Sequence, residues 1–464
     1  MIMDITYEMI VSWANTAGTV NSTKEILQWI EEKNKTINVN IKKINLDKCS
    51  PWYYDIDKGV ITNQNQSFFC ISGFQQFYEG KLLLEQPIIL QNEIGYLGII
   101  CKKINGVLNF LMQAKIEPGN INKVQLSPTI QATRSNFSQK HGGRKPPYLD
   151  YFLNASKYSI IVDQIQSEQS SRFYKKRNRN IIILVNEDVK ILPSHKWMTL
   201  GQIKELMKLN NIVNMDARTV LACIPYSKIC LSDEEKKYFK KYFSDSALFE
   251  SIFSEKDQNI PSEIYYYINN YKMFDDTETK LVPLHELKSW MIEDDQIICP
   301  LGYSFKVIFC DIAIEGREVL HWTQPLFEAI GHAMFGLIMC DIDGVCKFLV
   351  HAMPEAGCYD KLELGPSVQI ELDFCKKNLD PVEDLFFRLC NDPVHVILDV
   401  MLSEEGGRFY CEENRNVLIR VTYDQIPDLP EGYFFVDYQT LNRLVQINNC
   451  LNIQLRNLLS LLEV

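Results

Sequence analysis

Sliding the 464-residue chain over itself by 238 positions aligns Gln86 to Gln131 with Gln324 to Gln369 without a gap, and 16 of the 46 pairs are identical. The matches include Gln86-Pro87 with Gln324-Pro325, Gly98 with Gly336, Gly106-Val107 with Gly344-Val345, Phe110-Leu111 with Phe348-Leu349 and Glu117 with Glu355. Trp52 and Trp290 keep the same offset. At an offset of 236, Arg172-Phe173-Tyr174 matches Arg408-Phe409-Tyr410, and Asn178-Arg179-Asn180 matches Asn414-Arg415-Asn416. A unit of half a chain is a duplicated domain, not the ~20 to 50 residue element of a solenoid. Two large cores also suit a chain about three times the length of a common domain.

One copy gives the fold class. Residues 106 to 116 alternate, with Leu108, Phe110, Met112, Ala114 and Ile116 on one side, and Ile181 to Val185 is rich in β-branched residues; both predict strands. Thr199 can cap a helix running through Met207, and apolar periodicity continues from Asp216 to Cys223. The other copy ends on Leu441 to Val445 and Ile453 to Leu462. The expectation is an α+β protein with strands first and helices last in each copy. The first domain is expected over 1–228 and the second over 263–464. Between them 229–262, with Asp-Glu-Glu-Lys-Lys near its start, reads as a helical or flexible linker.

Composition narrows the function. A formal net charge of −11 argues against a general nucleic-acid binder, which needs a basic surface. Fourteen scattered cysteines, several inside apolar runs such as Ile100-Cys101 and Phe309-Cys310, read as reduced core residues of a cytoplasmic protein. Uninterrupted apolar runs fall far short of the ~20 residues that cross a bilayer, so no membrane role is expected. The seven histidines form no ligand-spaced pair and there is no Cys-x-x-Cys, so no metal site is expected. Neither a Gly-x-Gly-x-x-Gly fingerprint nor a phosphate-cradling Gly-x-x-x-x-Gly-Lys-Ser/Thr loop is present, and no cofactor is expected.

The strings Phe110-Leu111-Met112-Gln113-Ala114-Lys115, Glu117-Pro118-Gly119-Asn120 and Gln125 through Asn136 closely resemble the NDP-hexose 2,3-dehydratase family. So do His141-Gly142-Gly143, Gln166-Ser167-Glu168-Gln169, Lys176 through Asn180 and Val213-Asn214-Met215-Asp216. The resemblance covers nearly the whole chain, duplication included. It implies a homodimer whose subunit holds two Nudix-like domains without the metal-dependent hydrolase chemistry of that fold; the glutamate-rich Nudix box is absent here. It also implies action on a nucleotide sugar, typically dTDP-4-keto-6-deoxyglucose, giving a 3,4-diketo-2,6-dideoxy product for an NADPH-dependent C3-ketoreductase. The chemistry needs no redox step: the C4 ketone acidifies the C3 proton, a base removes it, and the C2 hydroxyl leaves with help from an acid. The rival readings are a non-catalytic sugar-nucleotide binder and a Nudix-type pyrophosphohydrolase.

Each copy serves as a control for the other. After Gln131 the first copy continues Thr133-Arg134-Ser135-Asn136-Phe137 and then Lys140-His141-Gly142-Gly143-Arg144-Lys145-Pro146-Pro147-Tyr148, whereas the second continues Glu371-Leu372-Asp373-Phe374. Basic and hydroxyl-bearing residues suit a diphosphate. Gln131, Thr133, Arg134, Ser135, Asn136, Phe137, Arg144 and Ser171 are therefore the candidates for binding substrate, with Trp52 for stacking the base. His141 is the first candidate for moving a proton near neutrality, followed by Tyr148. Lys115, aligned with Met353, is the candidate for polarising the C4 carbonyl. The run Lys175-Lys176-Arg177 reads as the solvated face of a hairpin turn, because its counterpart is Cys411-Glu412-Glu413.

Overall fold

The computed structural model describes residues 5–65, 68–133, 145–229, 231–253, 261–317, 319–371 and 378–462. The repeated hairpin lies at the centre of each copy. In the first, Gly95–Ile104 and Val107–Ile116 are joined by Asn105 and Gly106 at φ 51° and 83°, the left-handed pair that a two-residue turn demands. Asp343 and Gly344, at 52° and 74°, join Ala333–Ile342 to Val345–Pro354 in the second. Around each hairpin grows a seven-stranded mixed sheet. Arg177–Leu184 pairs parallel to Gly95–Ile104, and Glu413–Val421 parallel to Ala333–Ile342. The shared glycines Gly98 and Gly336 have a packing reason. A Cβ there would meet the rings of Phe152 and Phe386 at 2.4 and 2.3 Å, where short helices lie against the sheet.

The first strand of each copy completes the other copy's smaller sheet. Val39–Ile44 pairs antiparallel with Phe305–Ile314, and Glu278–Val282 with Cys70–Tyr78. Helix Met215–Ala222 packs on its counterpart Ile453–Ser460, and two fully buried arginines tie this seam. Arg218 Nη2 donates to Ser403 O at 2.9 Å, while Arg456 Nη2 donates to Ser167 O. One hydrophobic core runs through both copies.

Helices also open each copy, which the strands-first expectation missed. Thr23–Thr36 starts with the capping box Ser22/Glu25 and buries Ile26, Trp29 and Ile30; Ser262–Phe274 takes the same place in the second copy. The later helices follow their sequence signals. Thr199 caps Leu200–Met207 with Gln202 as its reciprocal partner. In the connecting stretch, Asp233–Phe239 and Ser246–Phe253 are helical, and Phe239, Phe249, Ile252 and Phe253 are buried in the core. The described cysteines are all unpaired, and no described helix is long and apolar enough to cross a membrane.

Candidate active site

A cavity of about 900 Å³ opens beside the large sheet of the first copy. Its walls come from both copies. The ends of Val107–Ile116 and Arg177–Leu184 contribute Lys115, Glu117 and Asn178, and the start of Met215–Ala222 contributes Asp216. The second copy supplies Glu405, Gly407 and Arg408 and part of the turn after Phe305–Ile314. The second-copy loop is clipped in place by backbone: Gly119 N donates to Gly406 O at 2.7 Å and Cys411 N donates to Gly119 O at 2.9 Å. A Cβ on Gly119 would stand 1.5 Å from Phe409 O, so only glycine fits. The reciprocal loop makes the same clip through Gly357, whose N–H donates to Ser170 O at 2.7 Å.

The cavity floor concentrates buried charge. Glu117 Oε1 lies 3.0 Å from Lys115 Nζ and accepts a 3.0 Å hydrogen bond from Gln131 Nε2, while its Oε2 is buried without a partner. Asn214 Nδ2 donates to Gln131 Oε1 at 3.3 Å and so fixes which face the amide turns to Glu117. Asp216 is 1% exposed, and neither of its oxygens has a hydrogen-bond partner. Burial raises its carboxyl well above the usual range, and Glu168, Glu405 and Glu117 add to that, which favours the protonated form. Burial, with Glu117 nearby, also pushes Glu405 up to about 7. Lys176 is held down to about 8 by burial, against the pull of Glu168. Arg408 stands 4.4 Å over the Phe69 ring and donates to Gln91 Oε1 at 3.2 Å.

The second copy keeps the scaffold of this arrangement but not its chemistry. Gln369 Nε2 still donates to Glu355 at 2.9 Å, and Asn452 Nδ2 to Gln369 Oε1 at 3.0 Å. Lys115, Lys176 and Asp216 are replaced by Met353, Glu412 and Gln454, and Thr133 by Glu371, which pairs with Arg172 at 3.0 Å.

Burial lifts Glu404 to about 8 and Glu412 and Glu363 to about 7. Carboxyls raised in the folded state hold their protons more tightly there than in the unfolded chain. Their contribution to stability is complete below the unfolded value and is lost as pH rises through the folded one. The melting temperature is therefore expected to fall between about pH 5 and 8, and Glu404→Gln to flatten that slope by several degrees. Identical slopes for both proteins in a thermal melt would contradict it.

Of the residues expected from sequence, Trp52, Lys115, Gln131 and Thr133 line the cavity. Trp52 is buried there, with its ring 4.7 Å from that of Phe69. Tyr148 and Ser171 do not line it. The Tyr148 hydroxyl is occupied within the fold, donating to Lys190 O at 2.8 Å and accepting from Leu192 N at 3.1 Å, and Ser171 O accepts from Gln86 Nε2 at 2.7 Å. Arg134, Ser135, Asn136, Phe137, His141 and Arg144 lie outside the described residues; Thr133 and Pro146, on either side of that segment, both line the cavity. Lys176 corrects the solvated-hairpin reading: it is 6% exposed and faces the cavity. Sequence reasoning also passed over Asp216 and Glu405 as site residues. A signal was present, since charge changes between copies at 176/412, 216/454 and 169/405 while Asn178/Asn414, Asn214/Asn452 and Glu168/Glu404 close by are kept.

A concave site with a buried carboxyl that favours its protonated form, a second carboxyl with one open oxygen and a lysine amine belongs to an enzyme that moves protons on a small polar substrate. A family model described as NDP-hexose 2,3-dehydratase matches residues 23–224 and again residues 261–462. A dTDP-4-dehydro-6-deoxy-alpha-D-glucopyranose 2,3-dehydratase of Saccharopolyspora spinosa is 37% identical over 450 residues, 95% of this chain and 91% of the relative. Proteins of the same name from Amycolatopsis orientalis and Streptomyces violaceoruber are 32% and 33% identical, over 98% and 95% of this chain and 93% and 97% of their own. The chain belongs to the NDP-hexose 2,3-dehydratase family. It is a hydro-lyase of a sugar nucleotide.

Proposed function

We propose that the chain removes water from dTDP-4-keto-6-deoxyglucose in the cavity of the first copy, giving a 3,4-diketo-2,6-dideoxy sugar nucleotide without a redox cofactor. The observation that carries this reading is the meeting of Asp216, Glu117 and Lys115 on one floor, a set the second copy has replaced. Glu117, through its unpartnered Oε2, takes the C3 proton. The Lys115 ammonium faces the charge that develops on the C4 oxygen. Asp216 gives its proton to the departing C2 hydroxyl, which leaves as water, and the enol relaxes to the C3 ketone. Gln131 orients the base.

Thr133 with Arg134, Ser135, Asn136, Phe137 and Arg144 is assigned to the diphosphate, Trp52 to the base, and His141 to relaying protons from solvent. The position of Thr133 and Pro146 on the cavity wall supports a role for the segment between them. Each copy reads as a Nudix-like domain, a reading supported by the mixed sheet covered by helices on both faces. The unpaired cysteines support work in the cytoplasm. The working form is a homodimer, and a ketoreductase using NADPH takes the labile diketone onward.

Incubating pure protein with the keto sugar nucleotide and such a reductase should yield a 2-deoxy product lighter by one water than the directly reduced substrate, read by mass spectrometry. Release of a nucleoside monophosphate instead would indicate a pyrophosphohydrolase, and unchanged substrate a binding module.

A further inference from the structure

We infer that Arg317, carried by a hairpin of the second copy, holds the diphosphate of the sugar nucleotide at the mouth of the first copy's cavity; the inference rests on the function proposed above. The two copies differ at this hairpin. In the first, Cys70–Tyr78 turns into Lys81–Leu90 through Glu79 and Gly80 alone, both exposed and at φ 47° and 73°. In the second, the connection from Phe305–Ile314 to His321–Ala329 runs from residue 315 to 320. Its root is held by the exchanged strand, where Val39 pairs with Ile314 and Glu315 N donates to Asn38 O at 3.1 Å. Strand exchange thus brings the longer hairpin to the cavity of the copy that has the catalytic set.

Arg317 lines the cavity and is itself anchored there. Its Nη1 donates to Ile116 O at 2.6 Å, between Lys115 and Glu117 in sequence, and its guanidinium carbon lies 5.7 Å from the Trp322 ring, another lining residue. A guanidinium has five N–H donors in a planar fork, the geometry that matches phosphate oxygens. Charge sets the direction of the substrate. The buried floor sets Lys115, Lys176 and Arg408 among Glu117, Glu168, Asp216 and Glu405, with Lys115 Nζ already 3.0 Å from Glu117 Oε1, so its charges offset one another, whereas Arg317 and Lys33 are partly exposed at the rim. Glu315 on the same hairpin is engaged by Asn38, whose N and Nδ2 donate to it at 3.3 and 3.1 Å. The uncharged sugar accordingly enters first and the diphosphate remains at the rim.

The test is calorimetric binding of dTDP, together with steady-state kinetics. Arg317→Gln keeps an N–H for Ile116 O but loses the charge; dTDP affinity should fall roughly tenfold to a hundredfold, with KM rising in step and kcat falling far less. Arg317→Lys should recover part of that loss. Binding of dTDP to Arg317→Gln within about twofold of the parent, while the parent dehydrates the keto sugar, would overturn the assignment of Arg317 and leave the functional reading standing. A parent protein that neither binds dTDP nor turns over the keto sugar would overturn both.

Discussion

Expressed without the second copy, residues 1–253 should show no detectable dehydration and no cooperative melt, although they contain every sheet strand of the large first-copy sheet. The reason is reciprocal completion. Val39–Ile44 would lose its partner Phe305–Ile314, and Cys70–Tyr78 would lose Glu278–Val282 and present an open edge. Helix Met215–Ala222 would expose the face that packs on Ile453–Ser460, and Arg218 would lose its bonds to Ser403 and Asn457. Each such broken buried polar contact costs about 1 to 3 kcal/mol, against a total stability of only about 5 to 15 for a typical protein. The cavity would also lack Glu405 and Arg408. Because the exchange is non-covalent, co-expression with residues 261–464 should restore turnover. An isolated N-terminal half with kcat within tenfold of the whole chain would refute this account.

The same reciprocity explains what the sequence revealed and what it concealed. Local signals were legible. The Thr199 cap and the alternation from 106 to 116 each depend on near neighbours, and each appears where expected. Comparing the copies position by position identified Lys115, because its change to Met353 lies within one strand. That comparison assumed that each site is built from its own copy. Glu405 and Gln169 occupy matching positions, but each reaches the other copy's site, so Glu405 was invisible as a partner of Glu117. Lys176 was misread for a different reason: a charged residue that reverses sign usually marks a solvated face. Here the change is between two buried positions, Lys176 among acids and Glu412 beside Arg172.

Asp216→Asn should fold normally and lower kcat by about 10²- to 10⁴-fold, the range for loss of a general acid, with KM little changed. Folding is expected because Gln454 already places a buried amide at the matching position of the second copy. Turnover is lost because an amide has the shape of the acid but no proton to give, and hydroxide is too poor a leaving group to depart from C2 unaided. The base would still act. Deuterium from solvent should continue to enter at C3 of the substrate in Asp216→Asn, since Glu117 still forms the enolate and reprotonation competes with a blocked elimination. In Glu117→Gln both exchange and elimination should stop. The pair of variants therefore separates the two proton transfers. Near-parental kcat in Asp216→Asn would remove the acid from the mechanism, and exchange that persists in Glu117→Gln but stops in Asp216→Asn would reverse the two roles.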